Sequence, residues 1–429
     1  MKEFIMYNNY DLIVIGAGPA GLAAAIEAKK NGLKKVLVIE REKEAGGILP
    51  QCIHNGFGSI IFKKDLPGPL YAANFIKTAD EFEVEILTDA MVLDITISKK
   101  VYVSSLNNGY LELQTKAIIL AMGCRERTRT QIRIPGSRPA GVYTAGSVQR
   151  LINIEGFMPG KKFVILGSGD IGMIVARRLT LEGAKVERVL EALPFLTGLR
   201  RNYVQCLADF NIKLDLKKSI KRIIGNNRVT AVETVGVDSS FNMIDGSEEI
   251  IECDTLVLSV GLIPENELSR RILVELDPST NGPLVDDRME TSIKGIFACG
   301  NVVNIYDLVD YVTLAGYNAG FNASRYVLDK IDYNTDKIRV LKDNNLFCIM
   351  PNFINLDESN NEILFQMRIN KIIENPIKIE IKEDKKVIFS FNEKYARPAE
   401  MITLKIKKNE LIKKLSNNCK SISVNIVDK

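Results

Sequence analysis

Residues 11–15 (DLIVI) form a short, apolar, β-branched run, the pattern of a strand buried on both faces. GAGPAG follows it, and then an Ala-rich stretch to about Lys30 that predicts a helix. A turn at Asn31-Gly32 leads to KVLVIE, a second strand ending at Glu40. The same order returns in mid-chain. KFVILG predicts a strand, GSGDIG a turn, MIVARRLTLE a helix closed by Gly183, and KVERVLE a strand ending at Glu191. Gly16 to Glu40 and Gly167 to Glu191 are both steps of 24 residues. Between the two units, EVEILTDAMVLDI, KKVYVSSL and YLELQTKAIILAMG read as strands. RIPGSRPAGVYTAG is a turn-rich connector, and RVTAVETVGV and CDTLVLSVG are later strands. A helix is expected at about 307–329, with Ala315, Gly316, Ala319, Gly320 and Ala323 on one face suited to close packing. The last stretch alternates apolar and polar residues, as in IKIEIKEDKKVIFSF.

The two repeated units carry a specific chemistry. In GxGxxG the first Gly permits the tight turn, the second lets backbone approach a pyrophosphate, and the third lets helix pack on strand. The helix N-terminus then faces the anion with free N–H groups. The acid ending the second strand accepts hydrogen bonds from a ribose. Gly16, Gly18, Gly21 and Glu40 fill these places in the first unit, and Gly167, Gly169, Gly172 and Glu191 fill them in the second. The expected class is therefore α/β, with two Rossmann-like dinucleotide-binding domains and a small β-rich C-terminal domain. Residues 1–150 with 262–330 make a discontinuous first domain, 151–261 an inserted second one, and 331–429 the third. The N-terminal position of the first unit, with REKEAGG after Glu40, points to FAD there, and the inserted unit to NAD. A carboxylate at Glu191 repels a 2′-phosphate, which favours NAD(H) over NADP(H), although Arg188 nearby opposes this.

Composition narrows the reading without changing it. The 429 residues are 46% hydrophobic and 26% charged, an ordinary globular balance. The net charge of +4 falls in residues 331–429, where lysines alternate with acids; this reads as a solvated surface rather than a nucleic-acid site. The seven cysteines lie more than 40 residues apart, which excludes local CxxC, zinc-ribbon and ferredoxin patterns, so no metal is expected. An odd, dispersed set fits a reducing compartment. MKEFIMYNNY has no leader pattern, and glycines break the apolar stretch from Leu12, so a cytoplasmic chain with no membrane span is expected.

GAGPAG, ILAMG and GIFACGN resemble the pyridine nucleotide–disulfide oxidoreductase superfamily of FAD/NAD flavoproteins, over roughly residues 8–330. GGILPQCIHNGFG, RERTR, RPAGVYTAGSVQRLIN, ILGSGDIG, LSVGLIPENEL and RPAEM are similar to a subgroup without a catalytic disulfide. That subgroup is the reductase component associated with glycerol-3-phosphate dehydrogenase-type flavoproteins, amino-acid and opine dehydrogenases, and NADH oxidases. The resemblance implies an FAD site at Gly16, Gly18, Pro19, Ala20, Gly21, Glu40, Arg41, Gly47, Ile48, Val92, Ala121, Gly123, Gly300 and Asn301. It implies an NAD site at Gly167, Gly169, Asp170, Ile171, Gly172, Glu191 and Gly261. Most of the superfamily has Asp where this chain has Asn301, an uncharged partner for a ribityl hydroxyl.

Relatives similar to thioredoxin reductase carry CxxC just before the second Gly motif; this chain has AGSVQRLIN there. Those similar to glutathione reductase carry a cysteine pair after the first acid; this chain has only Cys52, 12 residues past Glu40. Cys52 reads either as a single redox thiol cycling through sulfenic acid or as packing in a Pro-containing loop. His54, the sole histidine, reads either as a group that lowers the thiol pKa or moves a proton, or as hydrogen-bonded structure. The RERTR arginines either steer an anion or cap a surface turn. The implied reaction is hydride transfer between NADH and FAD, within a dehydrogenase or oxidase complex. An electron-transfer subunit idle without its partner and a stand-alone NADH oxidase using Cys52 are the alternatives. The implied partner is a second flavoprotein dehydrogenase subunit or a small cysteine-bearing protein, and homo- or hetero-oligomers are compatible with the sequence.

Overall fold

The computed structural model describes residues 8–333, 336–357 and 362–428. The expectation of no leader therefore falls, for residues 1–7, outside the described residues. The chain divides into two compact units. One comprises Met1–Pro50, Asn55–Cys124 and Pro264–Lys429; the other comprises Gln51–His54 and Arg125–Ile263.

The first unit is built on a seven-stranded sheet. Its order is Glu85–Leu87, Val36–Ile39, Asn9–Ile15, Gly109–Leu120, Lys100–Ser105 and Ala90–Ile95, with Ile296–Ala298 beside the last residues of Gly109–Leu120. Leu12, Ile13 and Val14 have no exposed surface, which is why DLIVI shows no polar alternation. The antiparallel part of the sheet does alternate: Val101 and Val103 are buried, while Met91 and Leu93 face out. Among the parallel strands, Ile15 pairs with both Ile39 and Leu120, and Leu120 pairs with Ala298. The chain therefore leaves four strands at one level, and Gly16, Glu40, Ala121 and Cys299 emerge together at the carboxyl edge. In open α/β sheets that edge is where ligands bind.

The helix expected at about 307–329 is Val309–Val327, and its small residues lie against the helix Pro19–Lys30. A Cβ at Gly316 would come within 2.3 Å of the Ala20 carbonyl oxygen, and one at Gly320 within 2.1 Å of that of Ala24. A helix with no clear sequence signature, Gly68–Glu81, follows Pro67 and buries Tyr71 and Phe75 against Phe62.

The C-terminal residues of the first unit form a five-stranded and a three-stranded sheet around a hydrophobic cluster of their own, which includes Phe365, Met367, Ile379 and Val424. Buried charges tie this part to residues 286–288. Lys408, 1% exposed, donates to Asp287 at 2.8 Å and to Asp357 at 2.8 Å. Arg288, also buried, pairs with Asp357, and Lys337 donates to Asp286.

The second unit holds a parallel sheet ordered Val142–Thr144, Thr255–Leu258, Lys162–Leu166, Lys185–Glu191 and Leu214–Leu216. A three-stranded antiparallel sheet of Lys218–Ile224, Ala231–Val237 and Met243–Glu252 lies in the same unit. One hydrophobic cluster joins Phe163 and Ile165 to the helix Asp170–Leu181; a second joins Val164 and Leu166 to Ile220 and Val232. Among the described residues no helix is long and apolar enough to cross a membrane.

Candidate dinucleotide sites

The glycines of the first turn are required by space. Gly16 has φ +104°, and a Cβ there would lie 2.4 Å from the Ala121 carbonyl oxygen. One at Gly21 would lie 1.8 Å from the Gly16 carbonyl oxygen. Gly18 caps the helix Pro19–Lys30 with no side chain over its N-terminus, so the first N–H groups face outward. Gly47 approaches from the next loop, where a Cβ would meet Gly18 Cα at 2.9 Å. Arg41 and Ile48 are exposed beside this turn, and Gly123, at φ +71°, has open space at its Cβ position. Gly300 closes on the same helix: a Cβ there would lie 2.7 Å from the Ala20 methyl. Asn301 accepts from the Tyr306 N–H at 3.1 Å and directs its amide toward the Cys124 sulfur at 3.7 Å. Val92 is 6% exposed and belongs to the hydrophobic core of the first unit.

The second turn repeats the first. Gly167 has φ +107°, and a Cβ there would lie 1.9 Å from the Ser259 carbonyl oxygen. One at Gly172 would lie 2.6 Å from the Gly167 carbonyl oxygen, and Gly169 caps Asp170–Leu181 with no side-chain hydrogen bond. Asp170, at the helix start, accepts from the Leu199 N–H at 2.8 Å and the Asn202 amide at 2.6 Å. Ile171 packs beside the hydrophobic cluster of this helix. Gly261, at φ +95°, lies next to Arg127.

The equal 24-residue steps have a structural counterpart. Ile15 pairs with Ile39, and Leu166 pairs with Leu190. Each acid therefore emerges beside the first glycine of its own turn. Glu40 accepts from the Ala17 N–H at 2.8 Å and the Glu42 N–H at 3.0 Å. Glu191 accepts from the Ser168 N–H at 2.9 Å and the Leu193 N–H at 3.0 Å. Glu191 also accepts the hydroxyls of Ser168 at 2.7 Å and Thr197 at 3.0 Å. Sequence reasoning missed Ser168 and Thr197. The Ser inside GSG was the available signal, whereas Thr197 reaches the acid through a loop of no recognisable pattern. Arg188, set against Glu191 as a candidate for a 2′-phosphate, donates instead to Asp215 and Glu249, each at 2.9 Å.

Cys52 and His54 belong to the second unit. The Gln51 amide donates to the Gly146 carbonyl at 3.0 Å and to Gln149 at 3.1 Å, and the Asn153 amide donates to the Gln51 carbonyl at 2.8 Å. The Cys52 sulfur lies 3.7 Å from the Gln149 side-chain oxygen. The AGSVQRLIN run, which lacks cysteine, is thus the helix Ala145–Asn153 that clamps this segment. Burial pushes the Cys52 thiol up from 9.0 to about 12, so it is protonated at neutral pH. The unfolded thiol ionises first as pH rises. The stability that this burial contributes is therefore intact below about pH 9 and is lost toward about pH 12. Alkylation of Cys52 by iodoacetamide at pH 8 is expected to be at least ~10-fold slower than in the urea-unfolded chain. Mass spectrometry of the Cys52 peptide checks this, and equal rates would contradict it. None of the seven cysteines forms a disulfide. Among the RERTR arginines, Arg129 caps a turn, donating to the carbonyls of Ile134, Gly136 and Ser137.

Two α/β units, each with a glycine turn between parallel strands latched by the acid at the end of the second strand, define a class: proteins with the two-domain FAD/NAD(P)-binding fold. Residues 10–319 match the family described as Pyridine nucleotide-disulphide oxidoreductase, and the chain belongs to it, a family that binds FAD and works with NAD(P)H. The F component of the alkyl hydroperoxide reductase of Staphylococcus aureus is 26% identical over 343 residues, covering 76% of this chain and 61% of the relative. A subunit of the opine oxidase of Agrobacterium tumefaciens is 25% identical over 316 residues, covering 69% of this chain and 62% of the relative. The chain thus spans about six-tenths of the length of these relatives. Among solved structures, T. acidophilum thioredoxin reductase shares the fold, with a TM-score of 0.62 at 22% identity over 75% of this chain and all of that one.

Proposed function

We propose that the chain is an FAD-dependent NAD(P)H oxidoreductase moving hydride between NADH and FAD, as a component of a dehydrogenase or oxidase complex. The observation that carries this reading is the pair of latched glycine turns. FAD fits the first, where Gly16, Gly18, Gly21 and Gly47 leave backbone bare and Gly300, followed by Asn301, returns to the same helix. NAD fits the second, at Gly167, Gly169 and Gly172. Bound FAD supplies a two-electron centre for hydride exchange with a nicotinamide. The residues present bind and orient: open helix N-termini meet pyrophosphates, and Glu40 and Glu191 hold the turns and offer their remaining lone pairs to ribose hydroxyls. No side-chain acid or base is needed for hydride transfer itself. NADH is favoured because Glu191 repels a 2′-phosphate while the Arg188 guanidinium is held by Asp215 and Glu249.

Electrons leave through a partner in this reading. The helix Ala145–Asn153 offers no cysteine, and the Cys52 thiol is held neutral. The two curated relatives are both named as parts of larger enzymes. The partner is a second flavoprotein dehydrogenase subunit or a small cysteine-bearing protein. Anaerobic NADH is expected to bleach the bound flavin of the purified chain, with NADPH about tenfold less effective, the factor that 1.4 kcal/mol of repulsion gives. Bleaching without NADH turnover in air supports the reading as one part of a complex. Steady oxidation of NADH in air that Cys52→Ser abolishes would support a stand-alone oxidase instead. A chain that retains no flavin after reconstitution would sink both.

A further inference from the structure

We infer a second ligand site in the unit of residues 125–263: a cleft between Arg133, Arg138, Tyr143 and Thr144 that takes a phosphorylated organic molecule. The cleft has a volume of about 670 Å³, a size typical of small-molecule sites and far larger than inorganic phosphate fills. Its polar lining is one-sided. Arg129, Arg133 and Arg138 and several hydroxyls face it, and no carboxylate is among its lining residues. Arg129 is committed to the backbone of the loop, through the carbonyls of Ile134, Gly136 and Ser137, and so fixes the shape of that wall. The Arg133 N–H donates to the Thr130 carbonyl at 3.3 Å, but neither the Arg133 nor the Arg138 side chain has a hydrogen bond or ion pair among the described residues. Two exposed guanidinium forks on one loop, in a cleft that no acid lines, match the oxygens of a phosphate dianion. The Tyr143 ring, with Ile134 and Leu258, gives the remaining wall an apolar character suited to the organic part.

The position of the cleft links it to the dinucleotide turn. Thr144 pairs with Leu258, at the carboxyl ends of neighbouring parallel strands. Ser259, the next residue, sets its carbonyl against Gly167. The cleft therefore opens on the same sheet edge as the Gly167 turn, and its occupant lies beside the dinucleotide. The helix that begins at Ala145 is not the anchor, because Glu126 already accepts from the Gly146 N–H at 2.8 Å. Burial and the charge of Arg138 both push the Arg129 guanidinium below its usual range, as expected for a cationic cluster short of counter-charge.

Calorimetric titration of the full chain tests the site, with ADP, inorganic phosphate and citrate as probes, each with and without saturating NAD⁺. ADP is expected to bind in the presence of NAD⁺, at least tenfold tighter than inorganic phosphate. Arg133→Ala/Arg138→Ala is expected to weaken ADP at least tenfold and to leave NAD⁺ affinity unchanged. Both arginines are exposed, and an unchanged melting curve confirms the fold of the variant. ADP binding that NAD⁺ abolishes, or that the double variant leaves intact, would assign ADP to the Gly167 turn and overturn the proposal. Citrate binding without ADP binding would overturn the phosphate assignment. Failure of NAD⁺ to bind, with ADP still sensitive to the arginines, would instead count against the dinucleotide reading alone and support this one.

Discussion

Gly16→Ala is expected to purify colourless while still binding NAD⁺. Two costs coincide at this residue. Its φ of +104° lies where a Cβ is disfavoured, at about 1–2 kcal/mol for an L-residue in left-handed backbone. The added methyl would also lie 2.4 Å from the Ala121 carbonyl oxygen, a backbone atom of a residue whose N–H is bonded to the Ile15 carbonyl at 2.9 Å, so relief of the clash has to come from backbone. The turn must shift, and with it the N-terminus of the helix Pro19–Lys30 that would face the pyrophosphate. A combined loss of ~3 kcal/mol or more weakens FAD by upwards of ~100-fold. The flavin-to-protein absorbance ratio after reconstitution reads this directly. The mirror variant, Gly167→Ala, places a methyl 1.9 Å from the Ser259 carbonyl oxygen and should retain flavin but lose NAD⁺. Flavin retained at wild-type occupancy in Gly16→Ala would remove the first turn from consideration as the FAD site.

Lys408→Met should cost more stability than any surface lysine in the chain, about 3–5 kcal/mol, the range for breaking a buried ion pair from one side. Its ammonium is 1% exposed and serves two carboxylates, Asp287 and Asp357. Burial already pushes the Asp287 carboxyl above its usual range, and Asp286 beside it adds to the rise, while Lys408 counters it. With the ammonium gone, the charge on Asp287 has lost its strongest offset. A raised carboxyl pKa means that the folded state holds its proton more tightly than the unfolded state does. The deficit of the variant should therefore shrink as pH falls and Asp287 takes up a proton. Urea denaturation of wild type and variant at pH 7 and pH 5 checks both claims. A difference under ~1 kcal/mol at pH 7 would show that the pair contributes no more than an exposed one.

The fold was legible wherever burial wrote itself locally. DLIVI, KFVILG and TLVL are apolar because they are central parallel strands, and the equal spacing of Gly and Glu is the parallel register expressed in residue counts. Glu40 and Glu191 were readable for the same reason. Lys408 was not, because KIKKNE looks like a solvated face and its partner Asp287 stands 121 residues away. Gln149, which contacts Cys52 across 97 residues, left no mark except a missing cysteine in its helix. Arg133 and Arg138 were visible as charges, but their lack of acidic neighbours depends on how the connector folds back on the sheet. The helix Gly68–Glu81 was obscured by its opening, GPLY, which punctuates like a turn.

The latch on the second turn bears on any attempt to redesign the protein. Swapping the nucleotide an enzyme prefers is usually approached as a matter of one acidic position, replaced by something small or basic. Here that position also supports its own loop: Glu191 receives two backbone N–H groups and two hydroxyls. Removing the carboxylate would leave the buried Ser168 N–H without its partner and release the Leu193 N–H, so a variant made to accept a 2′-phosphate would first lose the turn shape proposed to hold NAD(H). A working exchange would have to rebuild Ser168 and Thr197 together with residue 191, and the NADH preference proposed for this turn would then be a property of the loop as a whole.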